Sequence, residues 1–186
     1  LSYSLGLTAQ PNVLMVENEQ PRSTVNHHGF NVAPVLNLSM ILSQTTSMTF
    51  SYNGSSQAPI LSQLQPVPNT RNLQNIVVGN PNLKSTFNHS SNFTFQNNNP
   101  ENGRALMLGI NSNFIQDQVV SNIVLIQDTL NSLKQETRLE NANGAYSIDA
   151  LYSWSRPFEE NTFNLEFRGN LGFANNVSFT DGILNN

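Results

Sequence analysis

Three histidines, His27, His28 and His89, are the residues of this chain best suited to hold a metal. His27 and His28 are adjacent, so their rings point apart in extended chain, and no carboxylate stands beside them at ligand spacing. Two carboxylate pairs, Glu17 with Glu19 and Glu159 with Glu160, could be offered for acid–base work. All four read as turn residues, with nothing to bury one member and separate the two pKa values. Serines are plentiful, yet none sits in a Gly-x-Ser-x-Gly elbow or comparable nucleophile setting. With no cysteine, thiol chemistry, thiolate metal sites and disulfides are excluded. The chain therefore reads as a non-enzyme, with no catalytic residue, metal or cofactor.

Composition narrows the class further. Net charge is −4, with 8 Lys and Arg spread along 186 residues, so no basic footprint for nucleic acid exists. Only 11% of residues are charged, whereas about 25% is usual for a soluble domain. Asparagine alone contributes 30 residues, so the polarity is mostly neutral. The 11 Phe and 4 Tyr recur at regular spacing, which argues against a disordered chain. The run Ile123 to Ile126 is far shorter than the ~18 residues of a membrane helix. Leu1 is not an initiator Met and no signal-peptide pattern leads the chain, so the expectation is an excised or partial segment.

The elements that must position these residues show a hydrophobic period of two nearly throughout. Leu1, Tyr3, Leu5, Leu7 and Ala9 alternate with Ser2, Ser4, Gly6, Thr8 and Gln10, a ten-residue strand with one apolar and one polar face. Continuing in this way, strands are expected near 1–10, 30–43, 48–54, 87–96, 105–116, 145–155 and 163–174. The connections at 44–47, 97–104 and 156–161 are short, while those at 11–28, 55–86 and 117–144 are long, and the residues from 175 read as another loop. Within the last long internal connection, 123–126 offers to continue its hairpin beyond the membrane.

A soluble sandwich also alternates, but its strands run to about five or six residues and its outer face is rich in charge. Among the 8 basic and 12 acidic residues, only Asp149, Glu166 and Arg168 fall within the expected strands, all on the polar parity. An apolar parity free of charge suits hydrocarbon, since a mid-depth Lys or Arg there costs about 2 to 4 kcal/mol. Alternating short and long connections match periplasmic turns and external loops, and Trp154, Phe158 and Phe163 gather at one short turn, which suits an interfacial girdle and simple cross-strand aromatic packing equally. The fold class expected is all-β: an antiparallel, up-and-down transmembrane β-barrel segment of about seven strands. Bacterial barrels ordinarily have an even number of strands from 8 upward, so this is an incomplete part of a larger barrel.

The segment from Gly54 to Phe87, GSSQAPILSQLQPVPNTRNLQNIVVGNPNLKSTF, resembles a strand–loop motif of outer-membrane barrels of the Bacteroidota in the TonB-dependent receptor class. FNVAPVLNLSMILSQTTSMTFSYNG resembles that family's paired strands, and YSWSRPF with FNLEFRGNLGFANNVSFTDG its later hairpin. The likeness covers about residues 29 to 182, and Ser85 departs from a proline common after the lysine. The resemblance implies a bacterial outer-membrane protein with a barrel of about 22 strands closed by a plug, importing a nutrient too large for porins. Its implied partners are outer-membrane lipid, the remaining strands and plug of the same protein, TonB through that plug, and a surface lipoprotein.

Asp149, Glu166 and Arg168 are the candidate lumen-facing polar residues, and neighbouring hairpin strands leave two arrangements open, Asp149 beside Arg168 or both in a lumen-facing network. Gln63, Gln65, Asn69, Arg71 and Asn72, in the loop from Ile60 to Lys84, are the candidate solute contacts. Two other readings stay open at this point. One is a secreted or surface-attached all-β binding or adhesion module, the other a barrel segment captured during outer-membrane assembly.

Overall fold

A computed structural model describes residues 1–19, 22–66, 75–127, 133–158 and 162–185. Seven strands form one sheet: β1 (Ser2–Glu19), β2 (Arg22–Ile41), β3 (Thr46–Gln57), β5 (Thr86–Asn99), β6 (Arg104–Gln116), β9 (Ala145–Phe158) and β10 (Phe163–Asn175). Every neighbouring pair is antiparallel, and the order β1-β2-β3-β5-β6-β9-β10 follows the chain. This is an up-and-down wall, as the alternation predicts. β1 and β10 are its outer strands, and the barrel is not closed between them.

Register fixes which side chains share a face. Phe50 stands opposite Leu38 and Phe93, Ile110 opposite Phe93 and Ala150, and Leu171 opposite Ala150, so the apolar parity is continuous across the sheet. Much of this face is bare, with Leu5 79% exposed and Phe173 64%, while Leu38, Phe50 and Phe93 are half-buried among their neighbours. Such a surface fits lipid, where apolar exposure carries no hydration cost. The apolar face is not free of polar groups, but several are paired across strands. The Tyr52 hydroxyl and His89 Nδ1 are 2.8 Å apart, the Ser91 and Ser112 hydroxyls 2.6 Å, and Asn97 Nδ2 donates to Thr46 Oγ1 at 2.6 Å. Each pair satisfies groups that hydrocarbon could not.

The short connections share one end of the wall. At the 100–103 turn, Asn99 Oδ1 accepts from the Glu101 and Asn102 amides, Asn102 Oδ1 accepts from the Arg104 amide, and Gly103 supplies a positive φ of 66°. Asparagine side chains here complete the turn that the backbone leaves open.

At the other end, the long connections are not structureless. Within 55–86 lie α1 (Leu61–Leu64) and β4 (Asn75–Val78). Within 117–144 lie β7 (Gln118–Gln127) and β8 (Leu133–Ala142), and after β10 come β11 (Ser178–Thr180) and β12 (Ile183–Asn185). Together they form a second sheet, β12-β11-β7-β8-β4, in which β11 runs parallel to β7 and β4 parallel to β8. Three- and four-residue strands are too short to show a period. In β8, Lys134, Glu136, Arg138 and Glu140 fall on one parity, so charge rather than grease alternates.

The expected loop at 11–28 is likewise a strand pair, with β1 and β2 in register out to Glu19 and Arg22. β3 accompanies β2 only as far as Val35 opposite Asn53. The distal ribbon thus has no third strand, and no single covered face imposes period two on it.

Candidate functional site

The polar face of the wall is a lattice of short neutral side chains. Asn37 Nδ2 donates to Ser4 Oγ at 3.2 Å, Asn92 Nδ2 donates to Asn111 Oδ1, and Thr94 Oγ1 donates to Asn92 Oδ1 at 3.4 Å. Asp149, Glu166 and Arg168 share this parity: Asp149 is opposite Asn111 and Gly172, Glu166 opposite Ser155, and Arg168 opposite Ser153.

Of the two arrangements open to Asp149 and Arg168, the close approach does not occur. With Phe163 opposite Phe158, the β9–β10 register leaves Asp149 four residues up the strand from Ser153, roughly 13 Å. Arg168 Nη2 instead meets Glu166 Oε1 at 2.5 Å, a pairing of residues two apart on one strand face. Both side chains are substantially exposed, 73% and 38%, so the pair adds little to stability.

Among the other candidates, His89 is held by Tyr52 and leans on the Phe87 ring, with centroids 4.6 Å apart, so it belongs to the apolar face. The side chains of His27, His28, Glu17 and Glu19, and residues 159 and 160, lie outside the described residues. Among the described residues no group of three His, Asp or Glu is placed to hold a metal.

Two residues of positive φ bound the excursion of the chain from the wall through β7 and β8. Asp117, at a positive φ of 51°, separates β6 from β7, and Gly144, at 110°, lies between β8 and β9. Asn141 clamps the exit: its Oδ1 accepts from the Lys84 amide at 2.8 Å, and its Nδ2 donates to the Lys84 and Asp117 carbonyls at 3.2 and 2.7 Å. Asn143 Oδ1 accepts from the Asp117 amide at 2.7 Å, and Lys84 Nζ lies 3.9 Å from the Asp117 carboxylate.

Gly79–Lys84, within the Gly54–Phe87 segment that carries the sequence resemblance, is the anchor of this cap. Asn80 donates through Nδ2 to the Leu139 carbonyl at 3.0 Å and through its amide to the Gln63 carbonyl at 2.7 Å. Leu64 and Leu83 are fully buried against Val119 and Leu139. A second cluster, Val120, Ala142, Ala145 and Val177, lies where cap and wall join. The described buried apolar clusters are thus in the cap and its joint, while the wall keeps its grease outside.

Further out, Asn122, 5% exposed, donates to Glu140 Oε1 at 2.7 Å and accepts from the Gly182 amide at 3.1 Å. Arg138 Nε meets Glu136 Oε1 at 2.6 Å, and that hydrogen bond, then the charge, raises the guanidinium pKa.

A cavity of about 280 Å³ opens at the joint, lined by Gln57, Pro59, Gln63, Thr86, Ile115 and Gln118 among others. Gln63 also receives the Ile60 amide on its Oε1 at 2.9 Å, which orients it at the start of α1. Gln65 caps α1 through its amide, which donates to the Leu61 carbonyl at 3.1 Å. Asn69, Arg71 and Asn72 lie outside the described residues. The cavity could not be foreseen from sequence, because its lining comes from four separate stretches brought together by pairing.

A wall of this topology, greasy on one face and neutral-polar on the other, is that of an outer-membrane barrel. The chain belongs to the outer membrane protein beta-barrel family, which it matches over residues 1–185, and its place is the bacterial outer membrane. Among solved structures it is similar to the siderophore receptor PirA from Pseudomonas aeruginosa, with 17% identity and a TM-score of 0.58, covering 92% of this chain and 33% of that one. It is also similar to a mutant of the ferric enterobactin receptor PfeA from the same organism, in complex with enterobactin, with 18% identity and a TM-score of 0.53. That match covers 91% of this chain and 24% of PfeA, so the chain spans about a third to a quarter of these receptors. A search of curated proteins found no significant match.

Proposed function

We propose that this chain is part of the barrel of a TonB-dependent-type outer-membrane transporter that takes up a nutrient. The observation that carries the reading is the pairing of a neutral-polar wall face with a folded cap at the long-connection end, joined around an amide-lined cavity. The likeness in fold to two siderophore receptors supports it. In this reading the polar face, with Asp149, Glu166 and Arg168, lines the lumen and meets water or a plug. The external loop residues Gln63, Gln65, Asn69, Arg71 and Asn72 contact solute on its way in, with Gln63 doing so from the cavity wall. The other partners are further strands and a plug of the same protein, TonB acting through that plug, and a surface lipoprotein.

Uptake measured in the source bacterium tests this. A panel of labelled nutrients is compared among the parent, a strain deleted for the gene, and a strain lacking TonB. Loss of the same solute from both mutants, restored by the full-length gene, is the expected result. Uptake of every solute by the deletion strain at the parental rate would remove the transport role.

A further inference from the structure

The apolar parity is free of charge within the windows read from sequence, but β6 begins at Arg104 and β9 continues to Phe158. These extensions bring two cations onto the lipid side. Arg104 shares the parity of Leu106, Leu108 and Ile110, and Arg156 that of Trp154, standing opposite Leu165. Ala105 is paired with Ser155, so Arg104 and Arg156 occupy the same level on adjoining strands, one step nearer the short turns.

The 13 residues of β6, tilted at about 40°, rise by roughly 30 Å, against an apolar band of about 25 Å. The two arginines at its foot therefore sit at headgroup level, where their aliphatic stems lie along the grease and their charged ends reach the polar layer. Neither forms an ion pair among the described residues. The Arg156 guanidinium lies over the Phe158 ring, 4.8 Å from its centroid, and Trp154 packs on Phe167 at 5.8 Å, so the surface beside the cations is aromatic.

We propose that Arg104 and Arg156, with the neighbouring aromatic rings, form a binding site for the headgroup of an anionic phospholipid in the periplasmic leaflet. Charge complementarity selects the occupant. Two adjacent cations facing lipid at headgroup depth are drawn to a phosphate that carries net negative charge, and a zwitterionic headgroup offers them much less. Short turns mark the periplasmic end of such barrels, which assigns the leaflet. The inference rests on the outer-membrane wall and not on the transport reading.

Native mass spectrometry of the full-length barrel, purified with equal amounts of phosphatidylglycerol and phosphatidylcholine, tests it. Wild type should retain phosphatidylglycerol with a preference of about tenfold. Arg104→Gln with Arg156→Gln should bring that preference close to one, with the barrel still running as a folded, heat-modifiable band. Arg168→Gln, which removes a cation from the other face, should leave the preference intact. The proposal is overturned if wild type shows no preference, if the double variant keeps it, or if Arg168→Gln abolishes it equally. Retention of lipopolysaccharide over phosphatidylglycerol would place the arginines in the opposite leaflet and overturn it as well.

Discussion

At the scale of single residues, polar groups on the lipid face are tolerated where a partner satisfies them. Tyr52 comes from the middle of β3 and His89 from the cap end of β5, and only register reveals that they meet. Replacing His89 by Ala leaves a tyrosine hydroxyl in an apolar setting without its partner. The expected loss is about 1 kcal/mol, and the measurement is the urea midpoint of the barrel unfolding from lipid vesicles. Tyr52→Phe with His89→Leu, which removes both polar ends together, should recover most of that loss. A double variant no more stable than the single one would show that the pair is not the cause. By contrast, the exposed Glu166–Arg168 pair should be dispensable for folding, and Glu166→Gln should leave the midpoint unchanged. Any effect of that substitution on uptake would then report the polar face's contact with solute or plug.

At the scale of elements, the wall and cap are held together by backbone groups that side-chain amides complete. Asn141 makes three of these contacts, to the Lys84 amide and carbonyl and to the Asp117 carbonyl. Asn141→Ala should free the stretch around Lys84, so that trypsin cleaves there several times faster while the wall stays folded. Unchanged cleavage would mean that Leu64 and Leu83 alone hold the stretch. Gly79 makes a complementary case. A Cβ at that position would stand 2.3 Å from the Gln65 carbonyl oxygen and 2.8 Å from that of Gln63, both backbone atoms. Gly79→Ala must therefore push α1 away from β4, with the same protease sensitivity expected at Lys84. Here the sequence pattern is visible and its meaning is not: Gly79 to Lys84 lies within the segment that carries the family resemblance, and the structure shows it to be an anchor.

For the whole molecule, the open wall and the size of the similar receptors lead to a prediction about the native polypeptide. An antibody to the stretch from Ile60 to Lys84 should detect an outer-membrane band several times larger than 20.6 kDa in fractionated cells. A soluble band near 20.6 kDa would contradict the barrel assignment and restore the binding-module reading. The sequence by itself determined the seven-stranded wall, because a strand between lipid and a wetter face must alternate with period two, and a charge at mid-depth on the lipid side is too costly to occur by drift. It also placed Asp149, Glu166 and Arg168 on the polar parity. Tertiary structure alone decided that Arg168 pairs with Glu166 and not Asp149, because hairpin register is set by a turn and not by composition. It alone folded the long connections into a cap, because β4, β11 and β12, of three or four residues, are too short to show a period and β8 alternates in charge rather than grease. And it alone put Arg104 and Arg156 side by side at the foot of the wall, since where a strand stops depends on its partner's hydrogen bonds as much as on its own residues.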